Sequence, residues 1–236
     1  MSIWKKSCRR AARLSSASPE NEMPNLIMAL PKGRILDELM PVLKKADIQP
    51  EDAFFDDKSR LLRFKTNREN VELIRVRSFD AATFVAFGAA QIGVCGNDVL
   101  AEFDYSEIYA PLDLGVGKCR MAAAAPVGYN ANGFDRAGHI RVATKYPNIT
   151  KKYYQSKGIQ AECVKLSGAM ELAPTVGLCH RIVDVVSSGA TLKANGLVEI
   201  DPIMDVSARL IMNRTAFKTR PDEMTAWLNA FKEAVQ

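Results

Sequence analysis

Ile182-Val-Asp-Val-Val-Ser-Ser-Gly-Ala-Thr-Leu-Lys-Ala-Asn-Gly-Leu197 decides how the rest of the chain is read. Ile182 to Val186 is a β-branched run suited to a buried strand. Ser187 to Thr191 is small and rich in hydroxyls, and Leu192 to Ala194 opens a helical turn that Gly196 closes. A strand, a hydroxyl turn and a helix start make an anion cradle. Gly189 admits a ligand close to the backbone, neighbouring N–H groups converge on an anion, and Ser187, Ser188 and Thr191 add donors at the positive end of a helix. Asp184 interrupts the apolar strand, and a buried carboxylate is costly unless it finds a partner. A sugar hydroxyl or a magnesium-bound substrate would supply one. The residues alone leave a second reading level with the first: a serine-rich loop after a core strand, with Asp184 satisfied by backbone N–H groups.

The remainder of the chain alternates strand and helix signals. Leu26 to Leu30 reads as a strand that ends at Pro31-Lys-Gly-Arg34, a second anion-binding candidate, and Ile35, Leu36, Leu39, Met40 and Leu43 then carry helical periodicity, with Pro41 expected to kink or interrupt the helix. Arg60 to Phe64 and Val71 to Arg77 read as paired strands, and Arg60 and Arg77 suit either phosphates or a purine face. Ala81 to Ala90 is an apolar helix, Ile92 to Cys95 a strand, and Asn97 a cap for Val99 to Phe103. Ile108 to Leu114 and Cys119 to Ala125 are strand-like, with Gly115-Val-Gly117 as a hinge and a polar surface excursion from Tyr129 to Gly138. His139 to Thr144 and Ile159 to Leu166 are strands flanking a helix that follows Asn148, and a last helix, capped near Thr219 to Asp222, carries an apolar stripe from Met224 to Val235. The pattern predicts an α/β protein with largely parallel sheets.

Composition removes several classes of function. Hydrophobic residues make up 47% of the 236, enough for a packed core, yet no apolar run reaches membrane-spanning length. The first 22 residues hold five basic and two acidic side chains, +3 of the formal +5, so the rest is only mildly basic and nucleic acid is a poor partner despite a pI of 8.9. That tail reads as a disordered extension, with a transit peptide as the other reading. Five cysteines form no CxxC pair and fit reduced thiols in a cytoplasmic protein. Cys179 and His180 are adjacent and point apart, which argues against a catalytic pair or a zinc site.

The run Glu171-Leu-Ala-Pro-Thr-Val-Gly-Leu-Cys-His-Arg-Ile-Val-Asp184, continued by Ser188 to Leu197, closely resembles the phosphoribosyl-pyrophosphate site of ATP phosphoribosyltransferases, and Ala29-Leu-Pro-Lys-Gly-Arg-Ile-Leu36 resembles that family's opening signature. The likeness runs from Leu26 to about Phe231. It implies two α/β lobes resembling type II periplasmic binding proteins, residues 24–117 with 206–236 and residues 118–205, with the active site in the cleft between them. It implies transfer of 5-phosphoribose from phosphoribosyl pyrophosphate to N1 of ATP, the first step of histidine biosynthesis, with magnesium bound with the substrate and no metal held by protein alone.

The resemblance assigns Glu171, Asp184, Ser187, Ser188, Gly189, Ala190 and Thr191 to phosphoribosyl pyrophosphate, and Lys32, Gly33, Arg34, Arg60 and Arg77 to ATP, with Asp184, Arg34 and Arg60 catalytic. The chain departs from the family at Ala82, Gln91, Asn97, Cys179 and His180, which puts contacts there in doubt. Relatives of this short kind lack an attached regulatory domain and associate with a separate regulatory subunit resembling a histidyl-tRNA synthetase core, so a hetero-oligomer is expected. A phosphoribosyltransferase with another acceptor, and a non-catalytic two-lobed binding protein, are the alternatives.

Overall fold

The computed structural model describes residues 25–56, 58–129 and 139–236; the basic tail and most of the polar excursion before His139 lie outside the described residues. The chain first forms β1 (Leu26–Pro31), α1 (Arg34–Lys45), β2 (Arg63–Lys65), β3 (Val71–Val76), α2 (Ser78–Ala86), β4 (Ile92–Gly96), α3 (Asn97–Phe103) and β5 (Ile108–Asp113). It continues through β6 (Cys119–Pro126), β7 (His139–Thr144), α4 (Pro147–Ser156), β8 (Gln160–Lys165), α5 (Leu172–Thr175), β9 (Arg181–Val186), α6 (Ala190–Ala194) and β10 (Leu197–Val206). Finally β11 (Ala208–Asn213), α7 (Arg214–Thr219) and α8 (Pro221–Ala234) return to the first lobe.

Two sheets result, one of six strands in the order β2-β3-β1-β4-β11-β5 and one of five in the order β10-β6-β9-β7-β8. They are mixed rather than largely parallel: β1 runs parallel to β3 and β4, and β7 to β8 and β9, whereas β6, β10 and β11 enter antiparallel. β6 and β11 carry the chain into a lobe and β10 carries it out, each running against its neighbours, and β2 pairs antiparallel with β3 at the edge of the first sheet. The crossings fall between Asp113 and Cys119 and at Ser207.

Alternating side chains build a core on each face of each sheet. Met28, Leu30, Leu73 and Leu210 pack under Leu39 and Leu43 of α1 and Met224 and Phe231 of α8, while Ala29 and Ile211 face Ala81, Ala82 and Val85 of α2. In the second lobe Met121, Ala123, Val142 and Val183 meet Ile149 and Tyr154 of α4, and Ala122, Ala124, Ile182 and Val186 face α5 and α6.

Several local expectations are corrected. α1 runs unbroken through Pro41, which is exposed, so water can serve the Asp37 carbonyl that a proline leaves without a donor. The strand expected over Arg60 to Phe64 is found only at Arg63–Lys65, and α2 ends at Ala86, before Gly88 takes a positive φ of 74°. Asn97 is the first residue of α3 and not its cap; its side chain accepts from Ser207 N (2.9 Å) and donates to Asp205 O (3.0 Å), pinning the second crossing. α8 begins at Pro221 without a side-chain cap, while Asn213 caps α7 by accepting from Ala216 N at 2.8 Å.

Buried polar bonds join the lobes. Tyr146 Oη donates to Asp98 Oδ2 at 2.6 Å, and Glu102 accepts from Asn148 N and Ile149 N at 3.0 Å, so α3 of one lobe caps α4 of the other. Burial first, and then the facing Asp98 charge, push the Tyr146 phenol well above its ordinary value, which keeps it a donor. Tyr146→Phe would leave the buried Asp98 carboxylate without its hydroxyl; a loss of about 2 kcal/mol in urea unfolding is expected, and an unchanged midpoint would show that this bond does not hold the lobes.

Candidate functional site

Asp184 is the central polar residue of the second sheet's cleft-facing side. β9 lies between β6 and β7, and its even-numbered residues Ile182, Asp184 and Val186 share a face with Ala122 and Ala124. The two alanines leave a hollow above that face. Glu171, Asp184 and the whole turn Ser187, Ser188, Gly189, Ala190 and Thr191 line it, enclosing about 180 Å³. Every residue assigned by resemblance to phosphoribosyl pyrophosphate therefore surrounds one cavity.

The turn is built as its composition requires. Gly189 adopts φ 75°, a left-handed conformation that side chains disfavour, as α6 begins, and the Ala190 N–H donates to Ser188 Oγ at 3.3 Å. Since α6 is only five residues long, the hydroxyls and backbone of the turn, more than a helix dipole, set its chemistry.

Asp184 is half-buried, and desolvation raises its pKa to about 6. A bond from Val185 N (2.8 Å) opposes the rise, Glu171 adds to it, Lys145 opposes it and Asp98 adds a smaller increment. Neither reading of Asp184 from sequence is complete: one backbone N–H does bind it, yet the carboxyl keeps an open side toward the cavity.

Arg34 is the one ATP-assigned residue that reaches this cavity. From the start of α1 its Nη1 donates to Ser187 Oγ at 2.6 Å and its Nη2 to Gly117 O at 3.3 Å, with Glu38 at 3.8 Å. Glu38 in turn accepts from Gly117 N at 2.6 Å. The two anion turns read from sequence thus meet across the cleft. Lys32 and Gly33 instead line a separate groove of about 430 Å³ with Phe54, Phe55, Ser59 and Arg75. Arg60 follows Ser59 at the rim of that groove and Arg77 precedes α2, where its carbonyl accepts from Ala81 N at 2.9 Å; both are exposed, and neither side chain makes a hydrogen bond or ion pair among the described residues.

Arg75 was missed. It is buried, donates to Phe54 O (2.6 Å) and Asp56 O (3.4 Å), and lies over the rings of Phe54 and Phe64. The signal was present: alternation along Val71-Glu-Leu-Ile-Arg75 places it on the apolar face with Val71 and Leu73. Arg120 was missed too; it forks onto Glu199 at 2.6 to 3.0 Å and reaches Ser187 O at 3.4 Å.

The residues that depart from the family pattern lie away from the cavity. Ala82 is buried on the sheet-facing side of α2, Gln91 accepts from Ile27 N at 2.8 Å, and His180 Nδ1 accepts from Arg141 N at 2.9 Å. Burial pushes the Cys179 thiol upward, which disfavours the thiolate. Among the described residues no group of three or more histidine, cysteine or acidic side chains could hold a metal, and no helix is long and apolar enough to cross a membrane.

Fold and site define a two-lobed α/β protein with a hydroxyl-lined loop bordering a cavity in its second lobe. The chain belongs to the ATP phosphoribosyltransferase family, whose model (HisG: ATP phosphoribosyltransferase) matches residues 77–233. It is 62% identical over 218 residues to the ATP phosphoribosyltransferase of Paramagnetospirillum magneticum, covering 92% of this chain and 98% of that one. It is 61% identical over 210 residues to the enzyme of Rhodospirillum rubrum, covering 89% and 92%. A chain of the solved ATP phosphoribosyl transferase (HisG:HisZ) complex from Thermotoga maritima superposes with a TM-score of 0.75 at 32% identity, over 89% of this chain and 98% of that one. At 13% identity the periplasmic VFT2 domain of Bordetella pertussis BvgS shares the fold alone, with a TM-score of 0.54 over 90% of this chain and 88% of that one.

The pKa of Asp184 has a consequence for stability. Burial lifts the folded value above the unfolded one, so as pH rises from about 4 to 6 the unfolded chain gives up a proton that the native state still holds, and stability falls. Asp184→Asn is expected to melt several degrees above the parent at about pH 7.5 and level with it at about pH 3.5. Equal melting at the higher pH would mean that the carboxylate is not desolvated.

Proposed function

We propose that the chain is an ATP phosphoribosyltransferase that moves 5-phosphoribose from phosphoribosyl pyrophosphate to N1 of ATP, releasing pyrophosphate, at the first step of histidine biosynthesis. The observation that carries the site assignment is the single cavity bounded by Asp184, Glu171 and the turn from Ser187 to Thr191, with Arg34 of the opposite lobe bonded to Ser187.

The reaction is a glycosyl transfer without a protein nucleophile. As the bond from ribose C1 to pyrophosphate breaks, the ring gains positive charge, and N1 of the purine donates its lone pair from the opposite face. The enzyme must hold two bound molecules in line. The turn fixes the 5-phosphate through backbone N–H groups and the hydroxyls of Ser187, Ser188 and Thr191. Asp184, with Glu171 beside it, accepts from the ribose hydroxyls, which holds the ring and leaves negative charge near the developing cation. ATP uses the side of Lys32, Gly33 and Arg34, with Arg60 and Arg77 at the exposed rim of its polyphosphate. Arg34 touches both sides, so its guanidinium is suited to the departing pyrophosphate. Magnesium carried by the pyrophosphate substrate would supply charge neutralisation at the leaving group.

We further propose that histidine feedback acts through a separate regulatory subunit. The resemblance to short-form relatives and the HisG:HisZ neighbour support this reading.

The purified chain with ATP, phosphoribosyl pyrophosphate and magnesium, with pyrophosphate removed, is expected to accumulate phosphoribosyl-ATP by absorbance. Asp184→Asn and Thr191→Ala should each lower kcat/KM at least about a hundredfold, and Arg34→Ala about as much. Full turnover in both loop variants would sink the site assignment. Absence of product despite demonstrated binding of phosphoribosyl pyrophosphate would redirect the reading to another acceptor. Histidine should leave the purified chain uninhibited; inhibition without a partner would overturn the regulatory proposal.

A further inference from the structure

Lys145 is absent from both motifs, yet the topology brings it to the cleft. β7 runs parallel to β9 with Thr144 opposite Val183, and Lys145 is the first residue past that ladder, where the chain bends within electrostatic reach of Asp184. Ala143, opposite Ile182, belongs to the cavity-side core with it, and Thr144, opposite Val183, is buried. Lys145 thus leaves the sheet at the strand end next to the register position of Asp184. These are the carboxyl ends of two parallel strands, where α/β sheets present ligand-binding groups.

The side chain is held from the opposite lobe. Its Nζ lies 4.3 Å from the ring centroid of Phe79 in α2, and that ring packs at 5.4 Å against Tyr146, which itself donates to Asp98. Among the described residues Lys145 enters no ion pair with a carboxylate. An aromatic face anchors a cation and leaves its charge free to act on a neighbour. We propose that Lys145 is a positioning residue for Asp184: it keeps that carboxylate ionised and aimed at the ribose hydroxyls, and its seat on Phe79 ties this to the relative placement of the lobes. The proposal rests on the phosphoribosyltransferase reading above and gives that site a cation which neither motif contains.

The charges around Asp184 support it. Glu171 from the start of α5 and Asp98 from α3 both disfavour the carboxylate, Lys145 from the end of β7 favours it, and the phenol of Tyr146 stays neutral. Arg34 and Arg120 contact Ser187. With Asp184 titrating near 6, the ionised form dominates at neutral pH by a modest margin, so losing one nearby cation moves the balance measurably.

The test is the pH profile of kcat/KM for phosphoribosyl pyrophosphate, with the affinity for that substrate measured alongside by calorimetry. Activity needs the carboxylate, so the parent should lose it as pH falls through about 6. Lys145→Met should raise the acid limb by about one pH unit, giving roughly a tenfold deficit at about pH 6 that narrows to within threefold at about pH 8.5. Lys145→Arg should restore the limb. Phe79→Leu, which keeps the lysine and removes its seat, should shift it part way and guards against a fold defect in the methionine variant. In an Asp184→Asn background, Lys145→Met should cause no further loss.

A deficit that is the same at every pH, or one that adds fully to Asp184→Asn, would mean that Lys145 binds substrate directly or only packs, and would overturn the proposal. An unmoved limb would do the same. A parent enzyme with no acid limb, or a limb that survives in Asp184→Asn, would remove the role of Asp184 and this inference with it. A chain that forms no phosphoribosyl-ATP at any pH would instead reject the underlying function.

Discussion

A carboxylate on the apolar face of a β-sheet is the constraint to which the second lobe answers. Asp184 interrupts a row of Ile182 and Val186 and stands opposite Ala122 on β6, so it is half-buried, and among the described residues one backbone N–H reaches it. The small side chains of Ala122 and Ala124 leave space above it, and Glu171 and the Ser187–Thr191 turn close that space. Packed with larger residues, the same face would be a more stable sheet with no cavity. On the reading proposed above, a ligand hydroxyl would supply the partner that this carboxyl group lacks.

The second constraint is the double crossing of the chain between lobes. Each crossing is pinned by side chains remote in sequence: Glu38 and Arg34 on Gly117 at one, Asn97 on Ser207 and Asp205 at the other. Gly117 tolerates no side chain, since at φ 66° an added Cβ would lie 2.8 Å from Ile35 Cγ1. α3 and α4 add the buried Tyr146–Asp98 bond and the Glu102 cap on the same boundary. The sheets therefore meet along a seam of directional bonds rather than a greasy interface, and such a seam fixes orientation without filling the cleft that ligands must enter.

Much of the central loop was legible because its chemistry is contiguous. Asp184, Ser187, Gly189 and Thr191 are neighbours in sequence, and their strand-turn-helix order follows from β-branching, small side chains and one left-handed glycine. Elements with strong periodicity were equally readable, including β1, the apolar face of α1 and the stripe from Met224 to Phe231. Element ends were less so. Pro41 failed to break α1, and Asn97, by composition a cap, was recruited instead to a backbone bond more than a hundred residues away. In both cases the solvent exposure or the distant partner that decided the outcome is absent from local sequence.

Local residue chemistry and hydrophobic period determined the alternating elements, the anion turn and the candidate carboxylate, since each depends on neighbours within a few positions. Tertiary structure alone decided that β11 returns to the first sheet, that the sheets are mixed, that Arg34 reaches Ser187, and that Lys145 sits over Phe79 of the other lobe. Those outcomes depend on strand register and on contacts between residues far apart in the chain, for which a single sequence carries no local signature.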